Sequence, residues 1–121
     1  MRLNTKGTNI SLTPEIQDYL EKRIEAVGKM IDLDNPTLII DAELGRTTGH
    51  HQSGDIFKAE INIAYDGEHW RAVSEGSDLY SAIDDMRDEI VEELRSYKGR
   101  RRSLLKRGGA SIKAFIKKFY R

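Results

Sequence analysis

Cysteine is absent from all 121 residues, which excludes a disulfide framework and thiolate chemistry and fits a reducing cytosol. Long apolar runs are absent too. No stretch approaches the roughly 20 residues of a membrane-spanning helix, and the opening MRLNTKGTNI lacks the apolar centre of a signal peptide. A cytoplasmic location is the expectation that follows. Aromatic side chains make up 7% of the chain, so surfaces on which unpaired bases could stack are scarce. Net charge is missing as well. Twenty Lys and Arg balance 20 Asp and Glu, so a whole-chain charge test for polyanion binding reports nothing.

The zero sum conceals a segregation. Met1 to Glu93 carries all twenty acids and nine bases, whereas Leu94 to Arg121 carries eleven bases and no acid. An acidic globule with a basic arm points to an acidic partner. The boundary falls inside one predicted helix. Leu79, Ile83, Met86, Ile90, Leu94 and Tyr97 recur at steps of three and four, the period of a single buried helical stripe. From Asp78 to Lys98 that helix spans about 31 Å, so its basic end is expected to project from the domain. Asp78 to Glu93 holds seven carboxylates and only Arg87, after which come Arg95, Lys98, Arg100, Arg101, Arg102, Lys106 and Arg107. The helix dipole favours acids early and bases late, yet it acts mainly on the first and last turns. Arg100, Arg101 and Arg102 lie beyond the last stripe residue, Tyr97, where the dipole explains too little.

At 121 residues one domain is expected, burying roughly two-thirds of its unfolded surface. Arg2 to Ile10 reads as a short polar strand ending near Gly7 and Asn9. Thr13 and Pro14 open a helix whose apolar face is Ile16, Tyr19, Leu20, Ile24, Val27 and Ile31, with a stop expected at Gly28. Lys22 and Arg23 lie outside that face. Asp34-Asn35-Pro36 is a turn, and alternation predicts strands over Thr37 to Arg46 and Phe57 to Tyr65. Asp66-Gly67 is a favoured two-residue hairpin turn, which would pair Tyr65 with Glu68, Ile63 with Trp70, Ile61 with Ala72 and Ala59 with Ser74. His69 and Arg71 then fall on the opposite, solvated face. The fold expected is a single β-α-β-β-β-α domain of the α+β class, a four-stranded sheet with both helices on one face. Its first two strands should run parallel. The last helix is expected to break near Gly99, a good C-cap. Residues 1–107 form the domain. Residues 108–121, opening with Gly108-Gly109, are expected to form a flexible basic amphipathic tail, with Ile112, Phe115, Ile116 and Phe119 opposite Lys113, Lys117 and Lys118.

The constellations an enzyme would need are weak. GRTTGHHQSG, from Gly45 to Gly54, lacks the Lys-Ser/Thr ending of a phosphate loop. Adjacent His50 and His51, with Asp55, are poorly placed for one metal because neighbouring strand positions face opposite ways. His69 is isolated. Asp84, Asp85, Asp88 and Glu92 share a helix side but are read as a solvated face, with no burial to tune their acidity. No catalysis, cofactor or metal is expected. Nucleic-acid binding fares better, since it needs chiefly positive charge arranged to follow phosphates. The seven bases from Arg95 to Arg107 meet that need, with arginine forks suited to phosphate oxygens. With Tyr97 the nearest aromatic, recognition of RNA shape and backbone is favoured over base identity. An acidic protein surface or an anionic membrane competes for the same charge.

The run VSEGSDLYSAIDDMRDEIVEELRSYKGR, from Val73 to Arg102, and LNTKGTNISLTPEIQDYLEKRI, from Leu3 to Ile24, together resemble the ribosome hibernation-promoting factors, also called ribosome-associated translation inhibitors. The most specific elements are Glu75-Gly76, Asp78, Tyr80 and Ala82-Ile83-Asp84. The resemblance covers about Met1 to Arg107 and is to the short, sigma-54 modulation protein-like form. It implies a fold similar to double-stranded-RNA-binding domains, seated in the decoding channel of the small ribosomal subunit on 16S-type rRNA. Messenger and transfer RNA would be excluded there, with neither DNA nor membrane as partner. Arg23, Arg95, Lys98, Arg100 and Arg102 match positions typically basic in that family, and Arg101, Lys106 and Arg107 extend the set. Lys22, Arg71, Lys113 and Lys117 are additional candidate contacts. Glu89 and Glu92 stand where relatives often carry bases, and Ala26 lies near another such place. The contact surface is thereby shifted toward the helix end. The second domain of long members is replaced by Gly108 to Arg121, so self-sufficient pairing of ribosomes is not expected, and the tail's partner is not identified. A free-standing module for structured RNA away from ribosomes is the alternative.

Overall fold

A computed structural model describes residues 2–47 and 54–107, with side chains described as far as Tyr97. The tail and the paired histidines of the sequence reading lie outside the described residues. Seven segments follow in order: β1 (Arg2–Thr8), α1 (Pro14–Ile24), a 3-10 turn (Glu25–Lys29), β2 (Ile39–Thr47), β3 (Ile56–Tyr65), β4 (Glu68–Gly76) and α2 (Leu79–Arg107). The strands form one sheet in the order β1-β2-β3-β4, with β1 and β2 parallel and the other two pairings antiparallel.

Local chemistry sets each boundary. Thr13 caps α1 by accepting from the Ile16 amide at 3.3 Å, and Pro14 opens the first turn, where its missing N–H costs nothing. α1 does not run to a stop at Gly28: it tightens into the 3-10 turn after Ile24. Gly28 serves packing instead, because a Cβ there would meet Leu33 Cδ1 at 2.9 Å. Asp66 and Gly67 both take positive φ, 49° and 81°, the geometry a two-residue hairpin turn demands. The pairing that results is the anticipated one, from Tyr65 with Glu68 to Ala59 with Ser74. The Thr37 hydroxyl lies 2.7 Å from Asn35 Oδ1 and 3.0 Å from Asp66 Oδ1 and accepts from the Asp66 amide at 3.1 Å, tying the approach to β2 to the hairpin tip.

Strand alternation divides the sheet into a dry face and a wet one. Ile40, Ala42 and Leu44 of β2, Ala59, Ile61 and Ile63 of β3, and Trp70 and Ala72 of β4 are buried together. Over them lie Leu20, Ile24 and Val27 from the first helical segment and Leu79, Ala82, Ile83, Met86, Ile90, Leu94 and Tyr97 from α2. Full burial of each large aliphatic side chain contributes about 1.5–3 kcal/mol. The last anchor of α2 among the described side chains is aromatic: Tyr97 meets Trp70 edge-on, with ring centroids 5.2 Å apart.

A second expectation is also corrected. α2 does not break near Gly99 but continues to Arg107, 29 residues in all. A helical glycine costs only about 1 kcal/mol relative to alanine, and Lys98 and Arg100 to Arg102 beside it are good helix formers. At about 1.5 Å per residue, α2 is about 43 Å long.

Candidate nucleic-acid interface

The turn from β4 into α2 is built by the residues that carried the family resemblance. Asp78 precedes the helix and caps it, its two oxygens accepting from the Ser81 amide at 2.9 Å and the Ser81 hydroxyl at 2.8 Å. The Ser81 amide, then its hydroxyl, hold the Asp78 carboxyl below the ordinary value of 3.8. At Gly76 a Cβ would meet the Ala82 amide nitrogen at 3.2 Å and the Asp78 carbonyl at 3.3 Å, so a side chain there would press on the first turn. Capped in this way, α2 starts over the sheet and runs on past Tyr97, its last buried residue among those described.

Beyond Tyr97, Lys98, Arg100, Arg101, Arg102, Lys106 and Arg107 all stand on helical backbone. A single rod thus carries these six bases over about 15 Å. Arg95, the first base of the series, is exposed and donates to Glu92 Oε2 at 2.9 Å. An exposed pair of this kind contributes little, about 0–1 kcal/mol, so a phosphate can compete for the arginine.

Arg23 sits differently. Its Nε donates to Asp84 Oδ1 on α2 at 2.8 Å, a second guanidinium nitrogen donates to the Tyr19 hydroxyl at 3.0 Å, and that hydroxyl donates to the same Asp84 oxygen at 2.7 Å. The guanidinium also lies over the Tyr19 ring, 4.4 Å from its centroid, while Tyr80 meets that ring edge-on at 4.7 Å. The hydrogen bond with Tyr19, and then the one with Asp84, raise the Arg23 pKa above the ordinary arginine value. For Asp84, burial is the largest single influence and opposes ionisation, but the bonds from Tyr19 and Arg23 outweigh it and hold the carboxyl below 3.8. Asp84 is therefore not part of a solvated acidic face, as its sequence neighbours suggested. Its spacing from Tyr19 and Arg23, 65 and 61 residues, hid the contact from any periodicity argument.

The remaining candidates are dispersed. Lys22 pairs with Asp18 at 3.1 Å, both side chains well exposed. Arg71 lies on the uncovered face of the sheet, where it bonds Glu60 at 3.1 Å. Arg71, then Asn62, hold Glu60 below 4.5. Arg71 and Arg23 therefore occupy opposite faces of the sheet and cannot share one flat contact. Lys113 and Lys117 lie outside the described residues. Among the described residues, no group of His, Cys, Asp and Glu could hold a metal ion, and no helix is long and apolar enough to cross a membrane.

Comparison with known proteins bears on this arrangement. A family model described as Sigma 54 modulation protein / S30EA ribosomal protein matches residues 3–102. The ribosome hibernation promotion factor of a Picosynechococcus species is 32% identical over 98 residues, covering 81% of this chain but 49% of that protein. This chain thus spans about half the length of that relative. The ribosome hibernation promoting factor of Klebsiella oxytoca is 26% identical over 98 residues, covering 81% of this chain and 94% of its own length. In fold, the chain is similar to the N-terminal domain of Thermus thermophilus Protein Y, with a TM-score of 0.64 at 23% identity over 80% of this chain and 99% of that one. A ribosomal subunit interface protein from Coxiella burnetii gives 0.63 at 17% identity, covering 82% of this chain and 99% of that one.

Proposed function

Because this chain belongs to the Sigma 54 modulation protein / S30EA ribosomal protein family, we propose that it is a ribosome hibernation factor acting on the small subunit. In this reading the basic end of α2 grips 16S-type rRNA in the decoding channel, and the folded domain fills the space that messenger and transfer RNA require. Inhibition comes from occupancy rather than from bond chemistry, and it takes place in the cytoplasm without a cofactor.

The observation that carries the proposal is the segregation of charge along α2. Seven carboxylates lie between Asp78 and Glu93, and seven bases with no acid lie between Leu94 and Arg107, all of the latter on helical backbone. Phosphate neutralisation by clustered Lys and Arg supplies most of the affinity for nucleic acid and does not depend on base identity. Arg95 adds to this end of the rod by exchanging its exposed Glu92 partner for a phosphate. Arg23, paired with Asp84 and Tyr19, adds no net charge and contributes by offering a phosphate the guanidinium N–H groups that those two partners do not use.

Charge alone would also serve a module that binds structured RNA away from ribosomes. Sedimentation of a lysate from starved cells separates the two. The proposal expects the protein to travel with small subunits and whole ribosomes, and recovery in the light fractions alone would contradict it.

A further inference from the structure

β4 is the last strand of the sheet, paired with β3 on one side only. In a two-residue hairpin the residues flanking the turn exchange both backbone hydrogen bonds, and alternation continues from there. Glu68, Trp70, Ala72 and Ser74 therefore turn their backbone groups toward β3. The N–H and C=O groups of His69, Arg71, Val73 and Glu75 turn outward to the edge, and among the described residues none of the four bonds to the backbone of another element. Such a row is a template for one more strand.

The edge is flanked by unusual chemistry. A groove of about 390 Å³ runs between β4 and α2, lined by Val73, Ser74, Glu75, Asp85, Asp88 and Glu89. Asp88 is engaged by Arg87 at 2.8 Å, but among the described residues no cation pairs with Glu75, Asp85 or Glu89. Ser74, only 8% exposed, lines the same groove, and its Oγ has no hydrogen-bond partner among the described residues. A buried hydroxyl left unpaired is costly, and an incoming donor relieves that cost.

We propose that the outer edge of β4, with the acidic flank of α2, is a docking site for an extended, lysine- or arginine-rich segment of another protein, which adds to the sheet as a fifth strand. Main-chain bonds to His69, Arg71, Val73 and Glu75 give the segment its register. Its basic side chains meet Asp85, Glu89 and Glu75, and a donor reaches Ser74. The occupant is a protein because four carboxylates repel phosphates. This site is separate from the basic end of α2, so one molecule can hold RNA and a basic protein segment together.

The test uses the full chain and a blocked peptide of alternating lysine and valine, eight residues long, followed by amide hydrogen exchange. The expected result is saturable binding that slows exchange at least tenfold at His69, Arg71, Val73 and Glu75. A peptide N-methylated at every second residue should fail to bind. The exposed double substitution Asp85→Lys with Glu89→Lys should weaken binding at least tenfold with thermal unfolding unchanged. Equal binding of the methylated peptide, no protection at those four amides, or indifference to the double substitution would each overturn the proposal. So would slow exchange there before any peptide is added. If that protection were independent of protein concentration, the chain's own residues 108–121 would be the occupant, and if it grew with concentration, a second copy would be.

Discussion

Arg23 on α1 and Asp84 on α2 meet at 2.8 Å through the guanidinium Nε and carboxylate Oδ1, joining the two helices that cover the sheet. Tyr19 closes the triangle by donating its hydroxyl to the same oxygen. Each member satisfies the others, so removing one leaves a polar group without its partner at a half-buried contact. Asp84→Asn is therefore expected to lower the thermal unfolding temperature at pH 7, as measured by circular dichroism. An unchanged melting temperature would show that the triangle does not hold the helices.

Acid should remove that difference. The carboxyls of Asp84, Glu60 and Asp78 are all held below their ordinary values of 3.8, 4.5 and 3.8, so the unfolded chain takes up protons at higher pH than the folded one. Their stabilisation is complete above those ordinary values and is lost as pH falls through the lower folded ones. The domain should lose stability on acidification below about pH 4.5. The melting temperatures of Asp84→Asn and the parent should converge as pH falls progressively below 3.8, as the parent's own Asp84 takes up its proton. A gap that widened with acid would reverse the assigned sign.

Tyr97 is 7% exposed and stacks edge-on against Trp70, the final anchor of α2 among the described side chains. Tyr97→Ala should cost about 3 kcal/mol in denaturant unfolding, as for other buried aromatic truncations. It should also speed amide exchange from Arg95 to Arg107, because the rod's root is loosened. Loss of stability without faster exchange there would mean the rod is held in some other way.

Gly99 separates sequence logic from structure most sharply. Its propensity argues for a C-cap, yet the helix passes through it to Arg107. Gly99→Ala is accordingly expected to increase helical ellipticity and to stabilise this part of α2 by about 0.5–1 kcal/mol. A loss of helicity would indicate that a glycine conformation forbidden to alanine is needed there.

Much of this architecture was readable before any coordinates, for reasons particular residues make plain. Asp66-Gly67 admits few turn geometries, so the register of β3 on β4 followed, and with it the inward positions of Trp70 and Ala72. The stripe from Leu79 to Tyr97 repeats too regularly to be anything but a buried helix face. Helical period places Asp84 among solvated acids, but its partners, Tyr19 and Arg23, come from α1, and a period says which way a residue points, not what waits there. Glycine propensity predicts a stop at Gly28, whereas its constraint in the structure is the Leu33 side chain packed against it. The open edge of β4 beside Asp85 and Glu89 needed the strand order, which alternation does not supply.

If the basic end of α2 grips ribosomal RNA, as proposed, binding to the small subunit must depend steeply on salt. If about six phosphates are neutralised, log affinity should fall with log salt at a slope of about −4 to −5. The triple substitution Arg100→Glu, Arg101→Glu, Arg102→Glu should leave unfolding unchanged, since these residues lie beyond the buried stripe, while weakening binding at least a hundredfold and reducing the slope to about −2 to −3. A flat salt response in the parent, or an affinity indifferent to the three substitutions, would contradict the account.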